Sequence, residues 1–242
     1  MQKRAVVLGI FIDSIDMRQA VAEIEGFILN GRPNLIVTAN PEMLMYAQND
    51  VELAQILNNA QLTVPDGAGV VWAARHTGQK IPERVAGYDL AQCLLDVAAK
   101  QGYRVFLFGA KPEVLKAAKQ KAETLYPGIQ IVGVRHGFFT DEEEGVIIEE
   151  IKEAQPDILF AALGVPKQEK WLAKYLDILN VPVCMGIGGT FDVMAGVMRR
   201  APLWMQKMNL EWLYRLTQQP ERIIRMTALP RFVLKVVFGS KS

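Results

Sequence analysis

Residues 61–76 read QLTVPDGAGVVWAARH. The first four residues form a β-prone run that stops at Pro65, which has no N–H to continue a ladder. After Asp66 and Gly67 the chain turns apolar with the character of a helix. This short unit holds a strand end, a tight turn and a helix start, with a carboxylate at the junction. Asp66 can cap the helix, shape the turn, or do chemistry at the mouth of the strand.

The same unit recurs along the chain. Strand-like runs lie at 34–38, 61–64, 103–108, 129–134, 157–163 and 181–187, all short and mostly apolar on both faces. That is the pattern of strands covered on both sides in a parallel sheet. Helical runs fall between and after them, at 41–58, 67–76, 88–101, 111–125, 140–154 and 166–179. Thr140 followed by Glu143 is a capping-box pattern, and Pro112 and Pro166 sit where first helical turns begin. Residues 1–16 read as a first strand or hairpin, not a signal peptide, because Asp13 and Asp16 interrupt the apolar run. The expected fold is α/β: an open, mostly parallel Rossmann-like sheet flanked by helices, with no internal repeat.

Nearly every strand is followed by glycine or a small polar residue. In open α/β sheets ligands bind at the carboxyl ends of the strands, where glycines let backbone N–H groups approach an anion. Turn chemistry accounts for many of these residues. It does not readily account for Asn40, Asp66, Gln168 and Asp192 all falling on one edge. No nucleotide motif decides the ligand: GIGGTFD (186–192) departs from GxGxxG at Phe191, and there is no Walker A sequence. No metal is expected, since His76 and His136 lack a second ligand at metal spacing and no Asp-x-Asp pair occurs. Cys93 and Cys184 stand far apart without a CxxC, which suits a reducing compartment.

Charge is unevenly spread over the 242 residues. The net is +1, yet residues 197–242 carry nine lysines and arginines against Glu211 and Glu221. Residues 1–196 carry 18 basic and 24 acidic side chains. The division suggests an α/β domain at 1–196 and a basic helical appendage at 197–242. In the appendage Trp204, Met208 and Trp212 recur every four residues, arginines interleave with large aliphatics, and Pro220 and Pro230 divide it into short helices. Such helices lie on anionic lipid, or pack on a core with a solvated basic face. The density of aliphatics speaks against nucleic acid. No stretch has the ~18 uncharged apolar residues of a spanning helix.

Together, TANPEML (38–44), VPDGAGVVWAAR (64–75), PERVAGYDL (82–90), FLFGAKPEV (106–114), HGFF (136–139), ALGVPKQEKW (162–171), GIGGTFDVMAG (186–196), RRAPLW (199–204) and LEWLYRLTQQPERIIRM (210–226) resemble the WecG/TagA/CpsF family of bacterial glycosyltransferases. The resemblance implies inverting, metal-independent transfer from a UDP-sugar to undecaprenyl-diphosphate-linked N-acetylglucosamine. The TagA-like donor is UDP-N-acetylmannosamine, giving the lipid-linked disaccharide of wall teichoic acid or a related surface polysaccharide. It assigns Asp66 as catalytic base and Arg84 as an active-site arginine, with Thr38, Asn40 and Gln168 near the sugar or diphosphate. Gly109, Gly188 and Gly189 are candidates for backbone contact with UDP. Phe138 is a candidate to stack on uracil, and Asp192 to accept from uracil or ribose. Arg215, Arg222 and Arg225 match the family's C-terminal segment, which is thought to bind the membrane and close over the site. At least one of them is expected on a diphosphate. The implied location is cytoplasmic, at the inner face of the cell membrane, with monomer and homo-oligomer both open. No cofactor is expected.

Three other readings compete. One is a UDP-N-acetylmannosaminuronate or other UDP-hexose transferase of common-antigen or capsule synthesis. The second is a nucleotide-dependent oxidoreductase, which the broken glycine motif disfavours. The third is a non-catalytic, membrane-associated nucleotide sensor.

Overall fold

The structure, a computed structural model, describes residues 3–208, 210–218 and 227–239; the side chains of Lys207 and Arg215 are outside that description. The chain opens with a hairpin, β1 (Arg4–Val7) and β2 (Ile10–Asp13), which forms its own two-stranded antiparallel sheet. The main sheet is six-stranded: β3 (Leu35–Ala39), β4 (Leu62–Pro65), β5 (Arg104–Gly109), β6 (Gln130–Arg135), β7 (Ile158–Ala162) and β8 (Val183–Gly186). Its order is β4-β3-β8-β7-β5-β6, and every pair is parallel. The expected open α/β sheet is therefore present.

Helices cover both faces, which explains why the central strands are apolar throughout. One face carries α1 (Met17–Asn30), α5 (Gly87–Gln101) and α6 (Pro112–Leu125), packed on Ile36, Leu107 and Met185. The other carries α2 (Pro41–Ala47), α3 (Val51–Asn59), α4 (Ala68–His76), α7 (Glu144–Ala154) and α8 (Lys167–Leu179), packed on Leu35, Phe108 and Cys184. A short α9 (Thr190–Met194) follows β8. The chain leaves β5 toward β6 at one edge and leaves β7 toward β8 in the opposite direction. Their carboxyl ends diverge at a topological switch point, where open sheets form a ligand crevice. Gly109 sits there at φ +118°, and a Cβ would come 2.4 Å from the Ala162 carbonyl oxygen, so β5 and β7 meet only because residue 109 is glycine.

Three local features differ from the expectation. The run 41–58 is two helices, broken after Gln48, because Asp50 caps α3 by accepting the Leu53 N–H at 3.0 Å. Residues 17–30 form a helix that the strand–helix reading passed over. Asp16 and Gln19 make a reciprocal capping box, and Gly31 closes the helix at φ 65°. Thr140 and Glu143 do form a capping box, but around a 3₁₀ turn (Asp141–Glu143) that leads into α7.

The C-terminal segment is helical where described: α10 (Leu203–Lys207), α11 (Glu211–Gln218) and α12 (Ala228–Gly239). Phe232 and Val236 of α12 are buried in the apolar cluster that α2, α4 and the strands share. Leu203, Trp204, Met208 and Phe238 of the same segment remain exposed. Among the described residues no helix is long and apolar enough to cross a membrane.

Candidate active site

The carboxyl edge of the sheet opens into a cleft of about 950 Å³. Asp66 stands at its wall, one residue past β4. The Asp66 and Gly67 N–H groups both donate to the Ala39 carbonyl of β3, at 2.9 and 3.2 Å. A Cβ on Gly67 would fall 2.4 Å from the Pro41 ring, so glycine is what lets the turn press against the β3 exit. Gly67, not Asp66, is the N-cap of α4, and it makes no side-chain cap bond. Asp66 therefore stands one residue before the N-cap position. Its carboxylate is 24 % exposed and faces Arg84, with Nη2 3.6 Å from Oδ1.

Arg84 is held from several sides. The neighbouring Val85 N–H donates to the Pro65 carbonyl at 2.9 Å, laying the 81–86 loop along the end of β4. Arg84 Nε donates to the Asp66 carbonyl, and Nη2 pairs with Glu211 Oε2 at 2.7 Å. Neither Glu83 nor Asp89 is its ion partner. Asp89 instead takes Arg200 in a forked pair at 2.6 Å on both arms, and Arg200 lies over the Tyr88 ring and approaches Glu211 at 3.4 Å. Asp66, Arg84, Glu211, Arg200 and Asp89 thus form an alternating chain of charge along one rim. Such half-buried networks hold groups in place more than they stabilise the fold.

Thr38, Asn40, Gln168, Phe138, Gly188, Gly189 and Asp192 all line the same cleft. Asn40 is the N-cap of α2 and accepts the Met43 N–H at 3.0 Å. Thr38 is buried, with its hydroxyl 3.4 Å from the Gly186 carbonyl. Gln168 is buried in the wall, its Oε1 accepting from the N–H groups of Gly164 and Gly188. Phe138 stands 63 % exposed at the mouth. Gly109 is not among the lining residues; Ala110 and Lys111 take that place. Arg222, Arg225 and the Arg215 side chain lie outside the described residues. Among those described, no three His, Cys, Asp or Glu side chains gather as a metal site.

The sequence reading missed Tyr88, Lys111, Arg200 and Glu211 as cleft residues, and Asp89 as the partner that holds Arg200. Glu211 carried a faint signal, as one of two acids in a basic segment. Nothing local marked the others.

A carboxylate just past a strand end, guanidinium groups beside it and glycine-lined walls at the open edge of a parallel sheet suit group transfer on an α/β fold. Residues 5–241 match the Glycosyl transferase WecG/TagA/CpsF family, and the chain belongs to it. It is 40 % identical over 208 residues, 86 % of this chain and 80 % of the relative, to N-acetylglucosaminyldiphosphoundecaprenol N-acetyl-beta-D-mannosaminyltransferase of Bacillus subtilis (strain 168). Proteins of the same name from Bacillus spizizenii (strain ATCC 23059 / NRRL B-14472 / W23) and Staphylococcus aureus (strain MW2) are each 36 % identical. The first match spans 94 % of this chain and 88 % of the relative, the second 95 % and 91 %.

Proposed function

We propose that this glycosyltransferase moves N-acetylmannosamine from UDP-N-acetylmannosamine to undecaprenyl-diphosphate-N-acetylglucosamine, with inversion and without a metal. The product is the lipid-linked disaccharide for wall teichoic acid or a related surface polysaccharide. The observation that carries the reading is the Asp66 carboxylate at the cleft wall, one residue past the end of β4 and facing Arg84. The names borne by the relatives supply the transferred sugar and the acceptor, and the enzyme class supports a UDP-linked donor.

Asp66 takes the proton of the acceptor hydroxyl as that oxygen attacks the anomeric carbon. The bond from that carbon to UDP breaks, and its electron pair leaves on the diphosphate oxygen. One displacement inverts the anomeric centre. Arg84, Arg200 and Lys111 line the cleft and provide fixed positive charge for the leaving group in place of a metal ion. Exposed Leu203, Trp204 and Met208, in a basic segment between the cleft residues Arg200 and Glu211, suit a peripheral seat on an anionic membrane surface, where the lipid acceptor resides.

The test is UDP release from UDP-N-acetylmannosamine with a lipid-diphosphate-N-acetylglucosamine analogue, in the presence of EDTA. Wild type is expected to release UDP only with acceptor. Asp66→Asn is expected to lose roughly 10²- to 10⁴-fold in kcat while still binding UDP. Full activity in Asp66→Asn, or activity abolished by EDTA, would overturn the mechanism; release only from the uronate donor would change the sugar.

A further inference from the structure

Glu169 is a carboxyl group that the mechanism above does not use. It lies in the first turn of α8 and is 2 % exposed. Its Oε1 accepts from Gln168 Nε2 at 2.7 Å, while Oε2 has no hydrogen-bond partner among the described residues. A buried carboxyl with one oxygen unsatisfied costs stability, and an apolar side chain would serve the fold better. Departures of that kind gather at functional sites.

Its neighbour explains its position. Gln168 places Oε1 between two backbone N–H groups, those of Gly164 and Gly188, each at 3.2 Å. The two glycines belong to separate loops, after β7 and after β8, and both line the cleft. One amide therefore ties the two loops together. An amide has an accepting end and a donating end, so Gln168 can serve both N–H groups only while its Nε2 finds an acceptor of its own. Glu169 is that acceptor. The pair is fitted closely to the end of β8: a Cβ on Gly186 would come 2.6 Å from Gln168 Nε2 and 3.1 Å from Glu169 Oε1. The same Gly186 offers its carbonyl to Thr38 of the neighbouring strand β3.

We propose that Glu169 is a positioning residue for transfer: it fixes the Gln168 amide, and through it the spacing of the Gly164 and Gly188 loops that bear the substrate. The assignment rests on the transferase reading above. Glu169 touches no substrate itself.

The test compares Glu169→Met, which removes the acceptor at similar volume, with Glu169→Gln, which keeps an accepting oxygen. Direct UDP binding, KM and kcat for the donor, and the thermal midpoint are measured on the full chain. Glu169→Met is expected to weaken UDP binding and raise donor KM about tenfold, with kcat within about threefold and no fall in thermal midpoint. Glu169→Gln is expected to restore affinity to within about threefold of wild type. Unchanged affinity in Glu169→Met, or equal loss in both variants, overturns the proposal. Gln168→Leu must reproduce the effect; a Gln168→Leu protein with wild-type UDP affinity overturns it even where Glu169→Met does not fold. Amide exchange at Gly164 and Gly188 reads the link without any ligand. It is expected to quicken about tenfold in Glu169→Met but not in Glu169→Gln, and unchanged exchange in Glu169→Met also overturns the proposal. A wild type that shows this exchange pattern yet fails to bind UDP would instead count against the functional reading.

Discussion

The Glu211 carboxylate stands 2.7 Å from the Arg84 guanidinium, so a residue of the C-terminal segment reaches the arginine that faces the proposed catalytic base. Side-chain exposure at the contact is 25 % for Arg84 and 10 % for Glu211, and Arg200 approaches the same carboxylate. Glu211→Gln removes the charge shared by two guanidinium groups. Because the contact is only partly shielded from water, the expected cost is about 1–2 kcal/mol in urea unfolding. Faster proteolysis of the C-terminal segment should accompany it. An unchanged midpoint and cleavage pattern would show that α11 is held by something else.

Phe138 is the large aromatic that stands most exposed over the cleft. Ring stacking on a base contributes about 1–3 kcal/mol. Phe138→Ala should therefore weaken UDP binding about 5- to 100-fold in a calorimetric titration. The unfolding midpoint should not move, since an exposed ring contributes little to the fold. A fall in stability without a change in affinity would make Phe138 a packing residue.

Gly109→Ala brings a Cβ against the Ala162 backbone at a φ of +118°. Both the clash and the backbone conformation oppose it, so a loss of about 3 kcal/mol or more is expected, seen as a lower urea midpoint or insoluble protein. This makes Gly109 a residue of strand packing at the switch point, whatever it also offers a ligand.

Burial pushes the Glu169 carboxyl up to about 7, with the Gln168 hydrogen bond drawing it partly back. The folded state then keeps a proton that the unfolded chain gives up near the ordinary value of 4.5. Native protein binds more protons between those limits, so stability falls as pH rises through that window, by about 3 kcal/mol from this group. Urea midpoints of wild type and Glu169→Gln, compared at pH 4.5 and pH 8, measure it. The variant should lose less stability on going to pH 8; parallel curves would show that the carboxyl titrates as an ordinary one.

The strand–helix alternation was legible because each strand is a short apolar run ended by glycine or proline, and local chemistry makes those stops. Strand order was not, because pairing β3 with β8 joins residues that no local pattern connects. The helix at 17–30 was legible in principle: Asp16 with Gln19, then Ala20, Ile24 and Ile28 on one face. The break at Asp50 was likewise written in Asn49-Asp50. In the site, Asp66 and Asn40 could be placed because they directly follow strands, and Gln168 and Asp192 because they open the helices after β7 and β8. Arg84 came from the family resemblance. Glu211 was marked only faintly, as an acid in a basic segment, and Arg200 and Asp89 not at all, since these contacts join parts of the chain that no local pattern connects. Glu169 stayed hidden beside Gln168 because a carboxylate in a first helical turn looks like an ordinary response to the helix dipole.

Asp13 has a consequence for solubility. β4, the strand that ends at Asp66, is an outer strand of the sheet, and the outward N–H of Thr63 donates to the fully buried Asp13 carboxylate at 2.8 Å. Arg4 closes over the other carboxylate oxygen at 2.8 Å. An unpaired outer strand is an invitation to β-sheet extension by another chain. Here the hairpin and its carboxylate occupy that rim, which leaves β6 as the outer strand of the main sheet still open to such pairing.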